Sequence, residues 1–162
     1  MNRIIVLGFV CSQIFVGCTK QEKVSPIEGA WKMVEYSFSS PDTSWTNTSP
    51  QPGLFIFEKD YYSIMYLSGE EPRPLYPENY TRSILTDEQI RASYMEFVAN
   101  SGKYEINESI FSARPIVALE PNFMTDGFSE YEYKIENETM LLTRTLTRTS
   151  GVRGYKLIRL EQ

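Results

Sequence analysis

Short runs in which apolar and polar side chains alternate dominate the second half of the chain, and they constrain its fold more than any other feature. The clearest run is 128–136, where aromatic and aliphatic residues alternate with three glutamates and a lysine. Because successive side chains of a strand point to opposite faces, this run predicts a strand with one buried and one solvated face. Turn residues such as Asn137 and Gly151 separate it from similar runs.

The same signals predict eight strands, at 28–38, 53–57, 61–67, 103–106, 110–119, 128–135, 139–148 and 152–160. Segment 39–52 is rich in Ser, Thr and Pro and predicts a long loop. Hairpin-joined strands of this number favour either a sandwich or a closed up-and-down barrel. Because closure removes exposed strand edges, we expect an all-β fold, an up-and-down antiparallel β-barrel of about eight strands. Such a barrel either fills with its own side chains or holds one small ligand.

One helix is predicted, over 86–99. Thr86 and Gln89 have the spacing of a capping box, and acidic residues occupy the first turn. An apolar stripe with helical spacing predicts that one face of this helix docks onto the sheet. Its members are Ile90, Tyr94, Phe97 and Val98.

The absence of histidine excludes several kinds of chemistry. Without histidine the chain lacks the commonest general base, the usual zinc ligand and every Ser-His or Cys-His nucleophile. The two cysteines, Cys11 and Cys18, both lie near the amino terminus, so the domain that follows has no disulfide. We therefore assign no catalytic residue, no metal site and no cofactor.

The first 18 residues resemble a bacterial lipoprotein signal. Arg3 is the only charge, and the apolar run that follows is too short to span a membrane. The segment 14–18 is similar to a lipobox, in which Cys18 is acylated and becomes the first residue of the mature protein. The alternative is an ordinary secretory signal. We expect a signal peptide at 1–17, a polar tether at 18–26 and one domain at 27–162, attached to the membrane through the lipid on Cys18.

The resemblance places the protein in the bacterial cell envelope, as a lipoprotein of the outer membrane with a periplasmic or surface face. Loss of Arg3 with the signal leaves 15 basic and 21 acidic side chains, a formal charge of −6. This balance, without any basic cluster, argues against a nucleic-acid partner.

Several stretches of the chain, in order, resemble the bacterial lipocalin-like domain, a calycin-type β-barrel. They are the opening Gly29-Ala30-Trp31, the runs 53–57 and 61–64, Arg73-Pro74, the segment 97–104 and Pro121-Asn122-Phe123. Fatty-acid-binding proteins share the opening Gly-X-Trp strand, but their helices follow that strand directly. The resemblance implies that Trp31 packs at the closed end of the barrel beneath Arg159, as a structural base. Related domains often carry a histidine that this chain lacks, so an activity that depends on it is not expected.

The first hypothesis for function is binding or carriage of a small hydrophobic or amphipathic molecule inside the barrel. The residues proposed to bind it are Phe57, Tyr62, Tyr104, Tyr131 and Tyr133, with Arg114 meeting an acidic head group. For each aromatic residue the alternative is that it only fills the barrel. For the head group the alternatives are Arg144 or neither arginine.

Two further hypotheses belong to other classes. An enzyme would use a carboxylate such as Glu35, which the alternation places on the face of Trp31 and Met33, as its general base. A structural or partner-binding module of the envelope would have a filled barrel and use the loops 39–52 and 68–83 for contact. A cavity of several hundred cubic ångströms would favour the binding hypothesis over this module.

Overall fold

The computed structural model describes residues 25–70, 86–147 and 149–161, and they form a closed antiparallel barrel. Eight strands close it, because each pairs with the next and the last pairs with the first. The predicted all-β barrel is thus confirmed. The barrel strands are β1 Gly29–Ser39, β3 Gly53–Glu58, β4 Tyr61–Leu67, β5 Phe97–Asn107, β6 Ile110–Ala118, β7 Ser129–Glu136, β8 Thr139–Leu146 and β9 Gly151–Arg159.

Three shorter elements lie outside this ring. The strand β2, Ser44–Asn47, pairs with the last four residues of β1. The helices α1, Asp87–Met95, and α2, Phe123–Asp126, precede β5 and β7. The segment 39–52, predicted to be a loop throughout, therefore contains a strand. The Trp45 ring contacts Tyr36 edge-on, with 5.4 Å between ring centroids, and this contact fixes β2 against β1.

Several predictions lie outside the described residues. They concern the signal peptide 1–17, Cys18, the tether up to residue 24, Arg73-Pro74 and most of the loop 68–83.

A β-bulge in β1 changes which side chains face the interior. Met33 is opposite Leu157, but Glu35 is opposite Lys156 because the register shifts by one residue between them. Tyr36 is consequently buried. The expectation that Glu35 shares the face of Trp31 and Met33 is wrong, since an uninterrupted alternation was assumed and a bulge inverts it.

The helix is shorter than predicted. The capping box of Thr86 and Gln89 is present, but α1 ends at Met95 and β5 begins at Phe97. No residue of α1 is buried, so its apolar stripe does not dock into the core. Phe97 to Lys103 pair with β4 over seven consecutive residues, and these ladder hydrogen bonds outweigh the local helical pattern.

Gly102, three residues beyond the predicted end of the helix, lies within β5. A Cβ atom there would lie 2.0 Å from the Arg114 carbonyl oxygen of β6. The two strands approach this closely beside a bulge between Ser101 and Gly102. Glycine is therefore required by the packing of β5 on β6.

The closed end of the barrel is the end at which β1 begins and β9 ends. Trp31 is fully buried there, and its indole Nε1 donates to the Ile27 carbonyl at 2.8 Å. The Arg159 guanidinium lies 4.1 Å from the centroid of the Trp31 ring. Edge-on aromatic pairs fill the space above, with Phe57 contacting Tyr104 and Phe111 at 5.5 and 5.4 Å. Buried aromatic side chains therefore pack against one another in the closed half.

Candidate functional site

A cavity of about 370 Å³ occupies the opposite, open end of the barrel. It lies between α1, the start of β5, the end of β6 and α2, and it reaches inward to side chains of the barrel interior. Its volume lies within the range typical of small-molecule sites. The lining residues are Tyr66, Tyr94, Met95, Phe97, Val98, Ala99, Asn100, Ala118, Leu119, Glu120, Phe123, Tyr131 and Arg144.

Two neighbouring strands, β6 and β7, separate at the open end of the barrel. The pairing of β6 with β7 covers only 110–113, so the last residues of β6 diverge from β7. The helix α2 lies in the connection between these two strands. On the other side, the Tyr94 hydroxyl of α1 donates to the Leu119 carbonyl at 3.0 Å and holds the helix beside the mouth. The mouth therefore has an apolar rim, with Met95 and Phe123 among its residues.

Several tyrosines lie on the inner wall of the open half. The hydroxyls of Tyr66 and Tyr155 lie 3.1 Å apart and hydrogen-bond to each other. The Tyr36 ring stacks on Tyr155 at 5.3 Å, and Tyr131 stacks on Phe111 at 4.6 Å. Burial raises the pKa of Tyr66 and Tyr155 above the ordinary value, so both are neutral at physiological pH. The wall thus presents hydroxyl groups within an aromatic surface.

Two arginines face the interior at this end. Arg144 of β8 and Arg153 of β9 are direct cross-strand partners. Arg144 lies two residues from the buried Leu142, and Arg153 lies two residues from the buried Tyr155. Residues two apart share a face of a strand, so both arginine side chains lie on the inner face. The Arg144 guanidinium lies 5.8 Å from the centroid of the Tyr131 ring. Among the described residues, neither arginine forms an ion pair with a carboxylate.

Tyr62 of β4 adds a polar group without a partner. Its side chain is only 3% exposed, and its hydroxyl has no hydrogen-bond partner in the described part of the chain. Burial raises its pKa, the nearby Tyr131 hydroxyl raises it further, and Arg144 lowers it. Tyr62, Tyr131 and Arg144 are therefore neighbours in the interior. A buried hydroxyl without a partner is costly and is therefore uncommon in folded proteins.

The residues predicted to bind a ligand divide between the two halves. Tyr131 lines the cavity, and Tyr62 lies close to it. Phe57, Tyr104 and Tyr133 face inward in the closed half, where they fill the barrel. The Tyr133 hydroxyl donates to the Glu108 carbonyl at 3.1 Å, which ties it to the turn between β5 and β6.

Arg114 does not lie in the interior. It is opposite Lys103 on the outer face of β6, is exposed, and lies 5.5 Å from the centroid of the Phe128 ring. Its neighbour Ala113 is the buried residue of this pair. The expectation that Arg114 meets a head group inside the barrel is therefore wrong, because the apolar neighbours that suggested it belong to the other face.

Sequence reasoning missed several residues of the site. Arg153 could have been found by counting in steps of two from Tyr155 and Leu157, since all three share one face. Asn100 was missed because it lies between the predicted helix 86–99 and the predicted strand 103–106, whereas β5 begins at Phe97. Tyr66 lies in a correctly predicted strand, but a strand alone does not indicate which end of a barrel is open.

The described residues contain no group of three or more acidic side chains, histidines or cysteines that could hold a metal ion. Likewise, none of the helices in ranges 25–70, 86–147 and 149–161 is long and apolar enough to cross a membrane.

Comparison with known proteins gives a family. No curated protein matches the chain. One similar solved structure is that of an uncharacterized protein from Bacteroides eggerthii DSM 20697, at 11% sequence identity and a TM-score of 0.42, covering 82% of this chain and 98% of that one. The model of the lipocalin-like domain matches residues 28–157. Because this match spans most of the sequence and the barrel closes as described, the chain belongs to the lipocalin-like domain family.

Proposed function

We propose that the protein binds a small hydrophobic or amphipathic molecule in the cavity at the open end of its barrel. The observation that carries the proposal is the contrast in filling. Buried aromatic side chains pack against one another in the closed half, whereas a cavity of about 370 Å³ lies at the mouth. A lipocalin-like barrel suggests small-molecule binding, and the cavity supplies the space for it.

The lining supports a ligand that is mainly apolar. Aliphatic and aromatic residues from α1, β5 and β6 form most of the wall. The polar groups are Asn100, Glu120, Arg144 and tyrosine hydroxyls. Burial of an apolar tail against such a wall contributes about 25 cal/mol per Å² of area removed from water. The alternative of a partner-binding module with a filled barrel predicts no such space, and the cavity argues against it.

Filling the cavity tests the proposal. N-phenyl-1-naphthylamine, an uncharged probe whose fluorescence rises in apolar surroundings, should bind the full-length protein. Ala118 lies opposite Asn100 and lines the cavity, so Ala118→Trp should weaken probe binding at least tenfold. Ala30→Trp places the same side chain on the outer face of β1 and is the control. Equal binding by both variants, or no binding by the unmodified protein, would contradict the proposal.

We also propose that the protein is held in the bacterial envelope by a lipid on Cys18. The support is the sequence of residues 1–18. Ser25 to Glu28 lie at the closed end, where Arg159 donates to the Pro26 carbonyl at 3.1 Å. The seven residues from Cys18 to Ser25 span at most about 25 Å. A lipid there would hold the closed end toward the membrane and direct the mouth away from it.

Replacing Cys18 with Ser tests the anchor. The variant should move from the membrane fraction to the soluble fraction of the envelope when cells are fractionated. Cys11→Ser, which alters the other cysteine of the predicted signal, is the matched control and should stay in the membrane. Retention of Cys18→Ser in membranes would refute the anchor without affecting the binding proposal.

A further inference from the structure

Arg144 and Arg153, here called the arginine pair, are the feature of the open half that the fold itself least explains. They are cross-strand partners on the inner face of β8 and β9. Like charges directly opposite each other on a sheet repel, and their burial costs free energy unless a counter-charge compensates. No described carboxylate supplies one. Glu120, the acidic residue of the cavity lining, lies exposed at the rim.

A hydroxyl without a hydrogen-bond partner lies near the arginine pair. The buried Tyr62 Oη has no hydrogen-bond partner among the described residues, although it lies near Arg144 and Tyr131. A neutral tyrosine hydroxyl can donate a hydrogen bond to an anion. Arg153 lies within electrostatic range of the tyrosine hydroxyls of the same wall, those of Tyr36, Tyr66 and Tyr155. Two fixed cations and a free donor therefore face one region of the interior.

We propose that the arginine pair binds the carboxylate head group of an amphipathic acid, with Tyr62 as an additional donor. This inference rests on the proposed function, because the apolar tail of the acid occupies the cavity at the mouth. The planar guanidinium presents two parallel N–H donors that match a carboxylate. The apolar rim then contacts the tail, and the head group lies deeper in the barrel. The ligand class is a monocarboxylic acid with one apolar chain.

The test compares two ligands of the same chain length, decanoate and decan-1-ol, by titration calorimetry with the full-length protein. Both should bind, since both tails fit the cavity. Decanoate should bind about tenfold to 100-fold more tightly, because a hydrogen bond to a charged group contributes that much to affinity. This comparison needs no variant and is independent of any folding defect.

Substitution then assigns the difference to particular residues. Arg144→Gln and Arg153→Gln should each reduce the affinity for decanoate by about tenfold or more, and the affinity for decan-1-ol by a clearly smaller factor. Tyr62→Phe should reduce decanoate binding by a smaller factor of about fivefold. Arg114→Gln removes an exposed arginine from the outer face and is the control, with no effect on either ligand.

The outcomes separate the inference from the proposed function. If neither ligand binds, the proposed function fails and the inference fails with it. If both ligands bind equally well, or if Arg144→Gln and Arg153→Gln bind decanoate as tightly as the unmodified protein, the head-group site is refuted while the cavity remains a binding site.

Discussion

Arg159 and Arg144 lie on the inner faces of neighbouring strands at opposite ends of the barrel, and each contacts an aromatic ring. Arg159 lies 4.1 Å from the Trp31 ring centroid, and Arg144 lies 5.8 Å from that of Tyr131. Their polar surroundings differ. Arg159 donates to the carbonyls of residues 26 and 28, and its Nε forms an ion pair with Glu138 at 3.0 Å.

Arg144 has no comparable set of acceptors among the described residues. Its immediate cross-strand partner is another arginine, Arg153. The carbonyls and the carboxylate around Arg159 stabilise the folded chain, whereas Arg144 lies beside the neutral Tyr131 side chain and no described carboxylate compensates its charge. The same residue type thus has a structural role at the closed end and a proposed binding role at the open end.

Trp31→Ala should produce the largest loss of stability. The side chain is fully buried, and its removal leaves a cavity in a tightly packed region and an unpaired Ile27 carbonyl. The free energy of unfolding should fall by about 3–5 kcal/mol, measured by urea unfolding followed by circular dichroism. Tyr94→Ala, at the half-exposed mouth, should cost less than about 1 kcal/mol. Similar losses for both variants would show that the two halves are packed alike.

Arg159→Leu should cost about 2–3 kcal/mol, because it leaves two backbone carbonyls without a donor and removes the cation from above the Trp31 ring. Arg144→Leu should change the free energy of unfolding by less than about 1 kcal/mol, or increase it, since it relieves repulsion from Arg153. Urea unfolding measures both. A loss from Arg144→Leu as large as that from Arg159→Leu would remove the basis of the comparison.

The buried tyrosines of the open half should make the protein sensitive to alkali. Burial raises the pKa of Tyr66 and Tyr155 above the ordinary tyrosine value of about 10, so the unfolded chain loses these protons first. Stability from this source is fully present below pH 10 and is lost as pH rises beyond it. Each tyrosine should then lower the free energy of unfolding by up to about 1.4 kcal/mol per pH unit.

Urea unfolding between pH 9 and 11 measures this loss. Tyr66→Phe should make the decline with pH less steep, because phenylalanine does not ionise. Tyr61→Phe alters an exposed tyrosine on the same strand and should leave the slope unchanged. A stability that stays constant up to pH 11 would show that these hydroxyls ionise freely in the folded protein.

Much of the barrel was predictable from the sequence because its determinants are local. Alternation in β7, β8 and β9 gave the strands, and the family resemblance suggested Trp31 and Arg159 as a pair. The bulge in β1 was not predictable, since no residue type near Val34 marks it, and it moved Glu35 to the outer face. The helix was extended too far because Phe97 and Val98 fit a helical stripe, and only pairing with β4 determines that they are in a strand.

The candidate site was predicted less well for a related reason. Arg114 and Arg144 both interrupt predicted strands. Which of them faces inward depends on whether the odd or the even residues of each strand point into the barrel, and pairing with the neighbouring strands determines this. Whether the interior is filled or hollow depends on the combined volume of side chains from eight strands. The sequence therefore indicated aromatic residues in the interior without indicating that Phe57 and Tyr104 fill the barrel while Tyr131 lines a cavity.

Of these substitutions, Glu138→Gln should have the smallest effect on the free energy of unfolding, although Glu138 forms an ion pair with Arg159. The carboxylate is 74% exposed, and solvent screens such pairs, so the free energy of unfolding should fall by no more than about 1 kcal/mol. A double-mutant cycle with Arg159→Leu measures the coupling between the two side chains. Weak coupling would assign most of the stabilisation by Arg159 to the carbonyls and the Trp31 ring. Coupling above about 2 kcal/mol would instead mean that the Glu138 carboxylate supplies most of the stabilisation by Arg159. The difference between Arg159 and Arg144 would then be the lack of a counter-charge at Arg144, rather than the lack of carbonyl acceptors.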